Sequence, residues 1–192
     1  MNYYPVKAAK ATLSKKPNNY TKEQRQCWKT PNTKEQPVLY LVSELFGGQI
    51  TLDPTSDDYK SVPANFHFTK DDDCLKKDWN VSDQVKVFMN CPFDKPHLYI
   101  EKLFNEYNCG KIDEAVLLLK AGTIHNKKSG YFLSYATAFC HWGKKGRMAF
   151  IDHLGYQVKG ADFDTLLVYF GNNIQLFKDL FEDYGTITRP VI

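Results

Sequence analysis

Apolar positions along this chain recur at two periods, and each change of period marks a new element. Val38, Leu41, Val42, Leu45 and Phe46 fall at helical spacing and run into Gly47-Gly48, which predicts a helix with a glycine stop. Gln49-Ile-Thr-Leu-Asp53 reads as a short strand that Pro54 ends. After a polar, turn-rich stretch, Phe66-His-Phe-Thr69 alternates as a second brief strand, followed by Asp71-Asp72-Asp73-Cys74-Leu75 and Trp79. Val85 to Asn90 alternates again and leads into Asn90-Cys91-Pro92-Phe93. Asp94 as N-cap and Pro96 in the first turn then predict a helix, with Tyr99, Ile100, Leu103, Phe104 and Tyr107 as its buried stripe and Cys109-Gly110 as its end. The nearly unbroken apolar run Glu114-Ala-Val-Leu-Leu-Leu-Lys120 suits a central strand covered on both faces. Strand, helix, strand makes a parallel unit.

The rest of the chain is less regular. Beyond Thr123 it is polar, then aromatic-rich around Tyr131-Phe-Leu-Ser-Tyr135 and Phe139, which suggests a helix flanked by loops. Arg147-Met-Ala-Phe-Ile151 and Thr165-Leu-Leu-Val-Tyr-Phe170 read as two strands forming an antiparallel pair on one edge of the sheet. A last amphipathic helix from Ile174 to Tyr184 turns Leu176, Phe177, Leu180 and Phe181 inward. No repeat period appears. The expectation is an α/β fold with a mostly parallel sheet and an antiparallel edge pair. At 192 residues the chain fits one domain, placed at 27–192, behind a polar, basic arm at 1–26 punctuated by Pro5 and Pro17.

Charge refines this picture. The net charge is only +3, yet Lys7, Lys10, Lys15, Lys16, Lys22 and Arg25 face only Glu23 in the arm, and Lys127, Lys128, Lys144, Lys145 and Arg147 form a second basic group. Both groups are compatible with a polyanion partner or with solvated lysines. Five scattered cysteines without a C-x-x-C pair argue for free thiols rather than a disulfide scaffold or zinc knot. No apolar run is long enough for a membrane span and the N-terminus lacks the apolar core of a signal peptide, so the expected location is cytoplasmic. His125, Cys140 and His141 lack a metal-ligand spacing, so no metal is expected.

The chemistry concentrates at strand ends. Ligands of open α/β sheets bind outside the carboxyl ends of strands, which is where Asp53 and Asn90 fall. The Asn90 side chain and the Cys91 carbonyl offer two acceptors, Pro92 restricts the loop, and Phe93 adds a flat apolar face. Two acceptors beside an aromatic plate suit a planar amine.

Trp28-Lys-Thr-Pro31, Leu52-Asp-Pro54, Asp72-Asp-Cys-Leu75 with Trp79, Asn90-Cys-Pro-Phe93 and Gly146-Arg-Met-Ala-Phe150 follow one another in an order and spacing that resembles the phage-type DNA N6-adenine methyltransferase family, over nearly everything from Cys27 onward. The resemblance implies a Rossmann-like S-adenosylmethionine-dependent fold. It places Asn90, Cys91, Pro92 and Phe93 on the amine-gripping tetrapeptide, with Cys91 where proline is usual. Thr30 and Pro31 would lie near the methionine end of the cofactor, Asp53 and Pro54 at the first strand's edge, and Asp73 near the cofactor's adenine. The stretch after Thr123 departs from the family's Thr-Asp-Thr and tryptophan signature, and Asp53-Pro-Thr-Ser56 stands where most methyltransferases have a glycine-rich loop.

The implied activity is transfer of a methyl group from S-adenosylmethionine to N6 of adenine in DNA, the base flipped out or met single-stranded, with a homodimer as one assembly open to it. A phage origin would place it in the host bacterial cytoplasm. Two alternatives stay open: an inactive DNA-binding subunit or decoy of the same fold, and methylation of another planar amine such as cytosine N4.

Overall fold

Seven strands form one sheet: β1 (Ile50–Asp53), β2 (Ala64–His67), β3 (Lys86–Met89), β4 (Glu114–Lys120), β5 (Ala138–Trp142), β6 (Thr165–Phe170) and β7 (Gly185–Thr188). The structure is a computed structural model that describes residues 20–21, 28–158 and 161–190. The strand order is β2-β1-β3-β4-β6-β5-β7. β1 to β4 are mutually parallel, β6 is antiparallel to β4 and β5, and β7 is antiparallel to β5. Five strands therefore run one way and two the other, a Rossmann-like arrangement with a parallel core.

The unbroken apolar run of β4 has the reason expected of it, because side chains of successive residues enter two different cores. Val116 and Leu118 join one cluster, beneath α1 (Val38–Leu45) and α4 (Ile174–Phe181). Ala115, Leu117 and Leu119 join the other, beneath α2 (Pro96–Asn108) and α3 (Lys127–Leu133). The period of two along a strand divides them. β6 is split the same way, with Leu167 and Tyr169 on the first face and Leu166, Val168 and Phe170 on the second.

Several boundaries differ from the sequence reading. β2 begins at Ala64 rather than Phe66, since its register is fixed by pairing Ala64 with Ile50, and Phe66 on this edge strand is 42% exposed. Asp94 is not the N-cap of α2. The residue before a proline is disfavoured in the right-handed helical region; Lys95 is the N-cap in a left-handed conformation at φ 53, with Pro96 first in the helix. Ile100 and Leu103 are the fully buried part of its stripe, while Tyr99, Phe104 and Tyr107 are half-buried at its margin.

The expected pairing of 147–151 with β6 is replaced by another arrangement. Met148 and Phe150 do alternate into the core, but the backbone of this segment bonds to two straps instead of a strand. Gln36 Nε2 donates to the Arg147 carbonyl (3.0 Å) and Gln36 Oε1 accepts from Ala149 N–H (2.7 Å). Lys29 and Ile151 exchange both backbone bonds, at 2.8 and 3.0 Å. The strand that pairs with β6 is β5, which lies in a stretch read from sequence as helix and loops. The aromatic helix in that stretch is α3, N-capped by Asn126 Oδ1, which accepts from Lys128 and Ser129 N–H. α4 ends at Phe181 rather than Tyr184, which leaves room for β7.

Most of the expected basic arm lies outside the described residues. Tyr20 is an exception: its ring packs edge-on against Trp28 at 5.5 Å and its hydroxyl donates to Asp152 Oδ2 at 3.0 Å. Among the described residues, no helix is long and apolar enough to cross a membrane.

Candidate active site

The strand order reverses direction at β1, which has β2 on one side and β3 on the other. At such a switch point the connections leave to opposite faces and a crevice opens at the carboxyl ends. Asp53 is the last residue of β1 and Asn90 follows the last residue of β3. Between them lies a cavity of about 660 Å³ whose walls include Trp28, Thr30, Asp53, Asp73, Asn90 and Tyr99. That volume is within the range of sites for a nucleoside-sized ligand.

Asp53 is 3% exposed. Its Oδ1 accepts from Thr55 N–H at 3.1 Å, a turn that Pro54 helps to form. Burial pushes its carboxyl from the ordinary 3.8 up to about 7, and the nearby Asp57 charge adds to the shift. A buried carboxyl on a cavity wall, poised to ionise near neutrality, is a ready receptor for a cation.

Asn90 is held by its amide. Nδ2 donates to the Trp28 carbonyl and to Thr30 Oγ1, both at 3.3 Å. A carbonyl can only accept, so the NH₂ must face Trp28 and the oxygen must face away. Oδ1 accordingly takes no hydrogen bond from any described residue. Thr55 Oγ1 donates to the Asn90 backbone carbonyl at 3.3 Å, tying the β3 terminus to that of β1. The next residue, Cys91, buries its thiol in the second core cluster, and burial pushes that thiol up to about 12. It is a protonated packing group.

Pro92 lines the cavity and Phe93 lies outside its walls. The Phe93 ring meets Phe163 in a T-shaped contact at 5.1 Å, with the Lys120 ammonium 4.6 Å from the centroid of each ring. Phe163 continues into a group with Trp28 and Phe150. Pro92 thus faces the cavity while Phe93 joins the aromatic cluster, and Trp28 belongs to both.

Of the residues singled out from sequence, Thr30, Asp53, Pro54, Asp73, Asn90 and Pro92 share the cavity. Pro31, Cys91 and Phe93 are not among its walls. Within the acidic run only Asp73 reaches it: Asp72 closes its own turn by accepting from Thr69 N–H (2.9 Å), and Asp71 is exposed. Asp73 has φ 48 and pairs with Lys76 at 2.7 Å, which holds its carboxyl below the usual range. Sequence reasoning missed Asp57, Lys29 stacked on Tyr59 at 4.3 Å, Tyr99 and His153, all in the walls. Lys29 was within reach, being flanked by Trp28 and Thr30 in a segment already singled out. Phe163 and Lys120 gave no local signal.

A family model described as DNA N-6-adenine-methyltransferase (Dam) matches residues 17–185. The chain belongs to the Dam family. The match spans all seven strands but the last residues of β7, and it begins inside the segment read as an arm. No curated protein matches the chain. For a Dam-family protein the reaction is adenine methylation in DNA at the level of the family.

Proposed function

We propose that this Dam-family chain transfers a methyl group from S-adenosylmethionine to the exocyclic N6 of adenine in DNA, with Asn90-Cys91-Pro92-Phe93 holding the target amine. The observation that carries the reading is the orientation of Asn90, whose NH₂ is committed to Trp28 and Thr30 so that Oδ1 is left to accept. An adenine amino nitrogen is conjugated with its ring and is a weak nucleophile. Acceptors on both of its N–H groups, Asn90 Oδ1 and the Cys91 carbonyl, favour a pyramidal nitrogen with a directed lone pair.

The residues of the cavity fit the cofactor. Bound there, S-adenosylmethionine supplies an electrophilic methyl group on a positively charged sulfur. Asp53, Asp57 and Asp73 offer carboxylates to its positive charges and to the hydroxyls of a ribose, Thr30 adds a hydroxyl, and Tyr99 and Phe68 add aromatic surface for a purine. Phe93 supplies a stacking face for a base that has left the duplex or was never in one. The chain aligns the reactants and shapes the field, and no strong base is needed before the methyl moves.

The test is nucleoside analysis of mixed-sequence DNA after incubation with the protein and S-adenosylmethionine. N6-methyladenine is the expected product. N4-methylcytosine instead would reassign the target amine, and cofactor binding without any methylated base would support the inactive-subunit alternative.

A further inference from the structure

The β3–β4 register pairs Met89 with Leu117, and continuing it three residues brings Lys120 level with Pro92. Lys120, the last residue of β4, therefore stands beside the tetrapeptide on the same sheet edge. Its ammonium is held over Phe93 and Phe163, 4.6 Å from each centroid, on a half-buried stem. Among the described residues no carboxylate pairs with it. Asp164, whose carbonyl accepts from Ala121 N–H at 2.8 Å, turns its carboxylate to Arg147 at 3.2 Å.

Ring quadrupoles attract a cation without neutralising it. A full positive charge thus stays next to the aromatic face that, on the reading above, receives the target base. Lysine has three donors and no acceptor, and it serves phosphates as a point charge on a flexible stem. A nucleotide whose base lies on Phe93 must bring its own phosphates to the rim of the same cluster.

We propose that Lys120 binds a phosphate of the target nucleotide and so positions the adenine on Phe93. The inference rests on the methyl-transfer reading, but it concerns a residue with no part in gripping the amine or holding the cofactor. The ammonium is pre-placed by the two rings, and with no carboxylate of the described residues paired to it, it can meet the backbone of DNA.

A chemical double-mutant cycle tests it. The full chain, saturated with S-adenosylhomocysteine to prevent turnover, is titrated into a fluorescent single-stranded oligonucleotide with one adenine. The oligonucleotide carries either ordinary phosphates or neutral methylphosphonates on both sides of that adenine. Lys120→Gln should weaken binding to ordinary DNA roughly tenfold, as for one hydrogen-bonded charge contact, and should flatten the log-log salt slope by about 0.7, the loss of one single-strand phosphate contact. The neutral linkages should weaken the wild type by a similar factor and leave Lys120→Gln unchanged, while Lys120→Arg should stay close to the wild type on ordinary DNA. Equal affinity and salt slope for Lys120→Gln would overturn the inference, as would losses that simply add when the variant meets neutral DNA. Methylation of the same oligonucleotide by the wild type reads the parent proposal separately, so that a silent enzyme with an intact binding cycle would count against the chemistry and not against Lys120.

Discussion

Asn90→Ala slows single-turnover methylation by a factor on the order of 10²–10³ at saturating cofactor, the loss typical when one preorganised polar contact to a transition state is removed. The expectation follows from how the side chain is fixed. With Nδ2 bonded to the Trp28 carbonyl and Thr30 Oγ1, Oδ1 is aimed before the substrate arrives, and alanine removes both the acceptor and the tether. Cys91→Ala is the control that separates side chain from backbone. It keeps the carbonyl and loses only a buried thiol that is protonated at neutral pH, so most of the activity should remain. An inactive Cys91→Ala beside an active Asn90→Ala would refute the two-acceptor model and require a role for the thiol.

The second large effect belongs to Asp53, and it has opposite signs for binding and for folding. Burial raises its carboxyl to about 7. A cationic ligand pairs only with the ionised form, so below that pH binding must first release a proton, and affinity should fall by up to about tenfold per pH unit. Calorimetric titration with S-adenosylmethionine across pH 5–8 measures this. Asp53→Asn should bind weakly throughout and show no such slope; the same slope in the variant would remove Asp53 from the cofactor site. For folding, the raised value means that the native state holds a proton the unfolded chain has lost. The Asp53 contribution to stability is therefore complete below the unfolded value of 3.8 and is lost as pH rises through about 7. Thermal melts of wild type and Asp53→Asn should diverge over that window, with the variant gaining relative stability toward neutral pH.

The site was legible in the sequence wherever its chemistry is local. Asp53 and Asn90 each sit at the end of an alternating apolar run, and a strand end is a place that one short window can identify. β4 was legible for a related reason, since only a strand buried on both faces has seven residues with five apolar ones in succession. β5 and β7 were not. Ala138-Phe-Cys-His-Trp142 carries an exposed histidine and Gly185-Thr-Ile-Thr188 a glycine, and both become strands through pairing with partners far away in sequence, His141 with Leu166 and with Thr186. The 147–151 segment shows the converse. Met148 and Phe150 give it a strand's alternation, but periodicity reports which side chains are buried and carries no information about which backbone lies alongside. The Lys120, Phe93 and Phe163 cluster is assembled from three separate stretches, so no window of sequence contains it.

The pair of backbone hydrogen bonds between Lys29 and Ile151 has a dynamic consequence. Trp28 and Thr30 orient Asn90, and the backbone on which they stand makes two long-range backbone–backbone hydrogen bonds, both between Lys29 and Ile151, beside the Asn90 amide on the Trp28 carbonyl, whereas β4 and β6 share a six-residue ladder. Regions with few backbone bonds open at a lower free energy than the global unfolding transition. The segment that holds Asn90 in place should therefore open more readily than the sheet beneath it. On gentle heating, the amide protons of Lys29 and Ile151 should exchange with solvent ahead of those in β4, and enzymatic turnover should fade while far-ultraviolet circular dichroism still reports a folded protein.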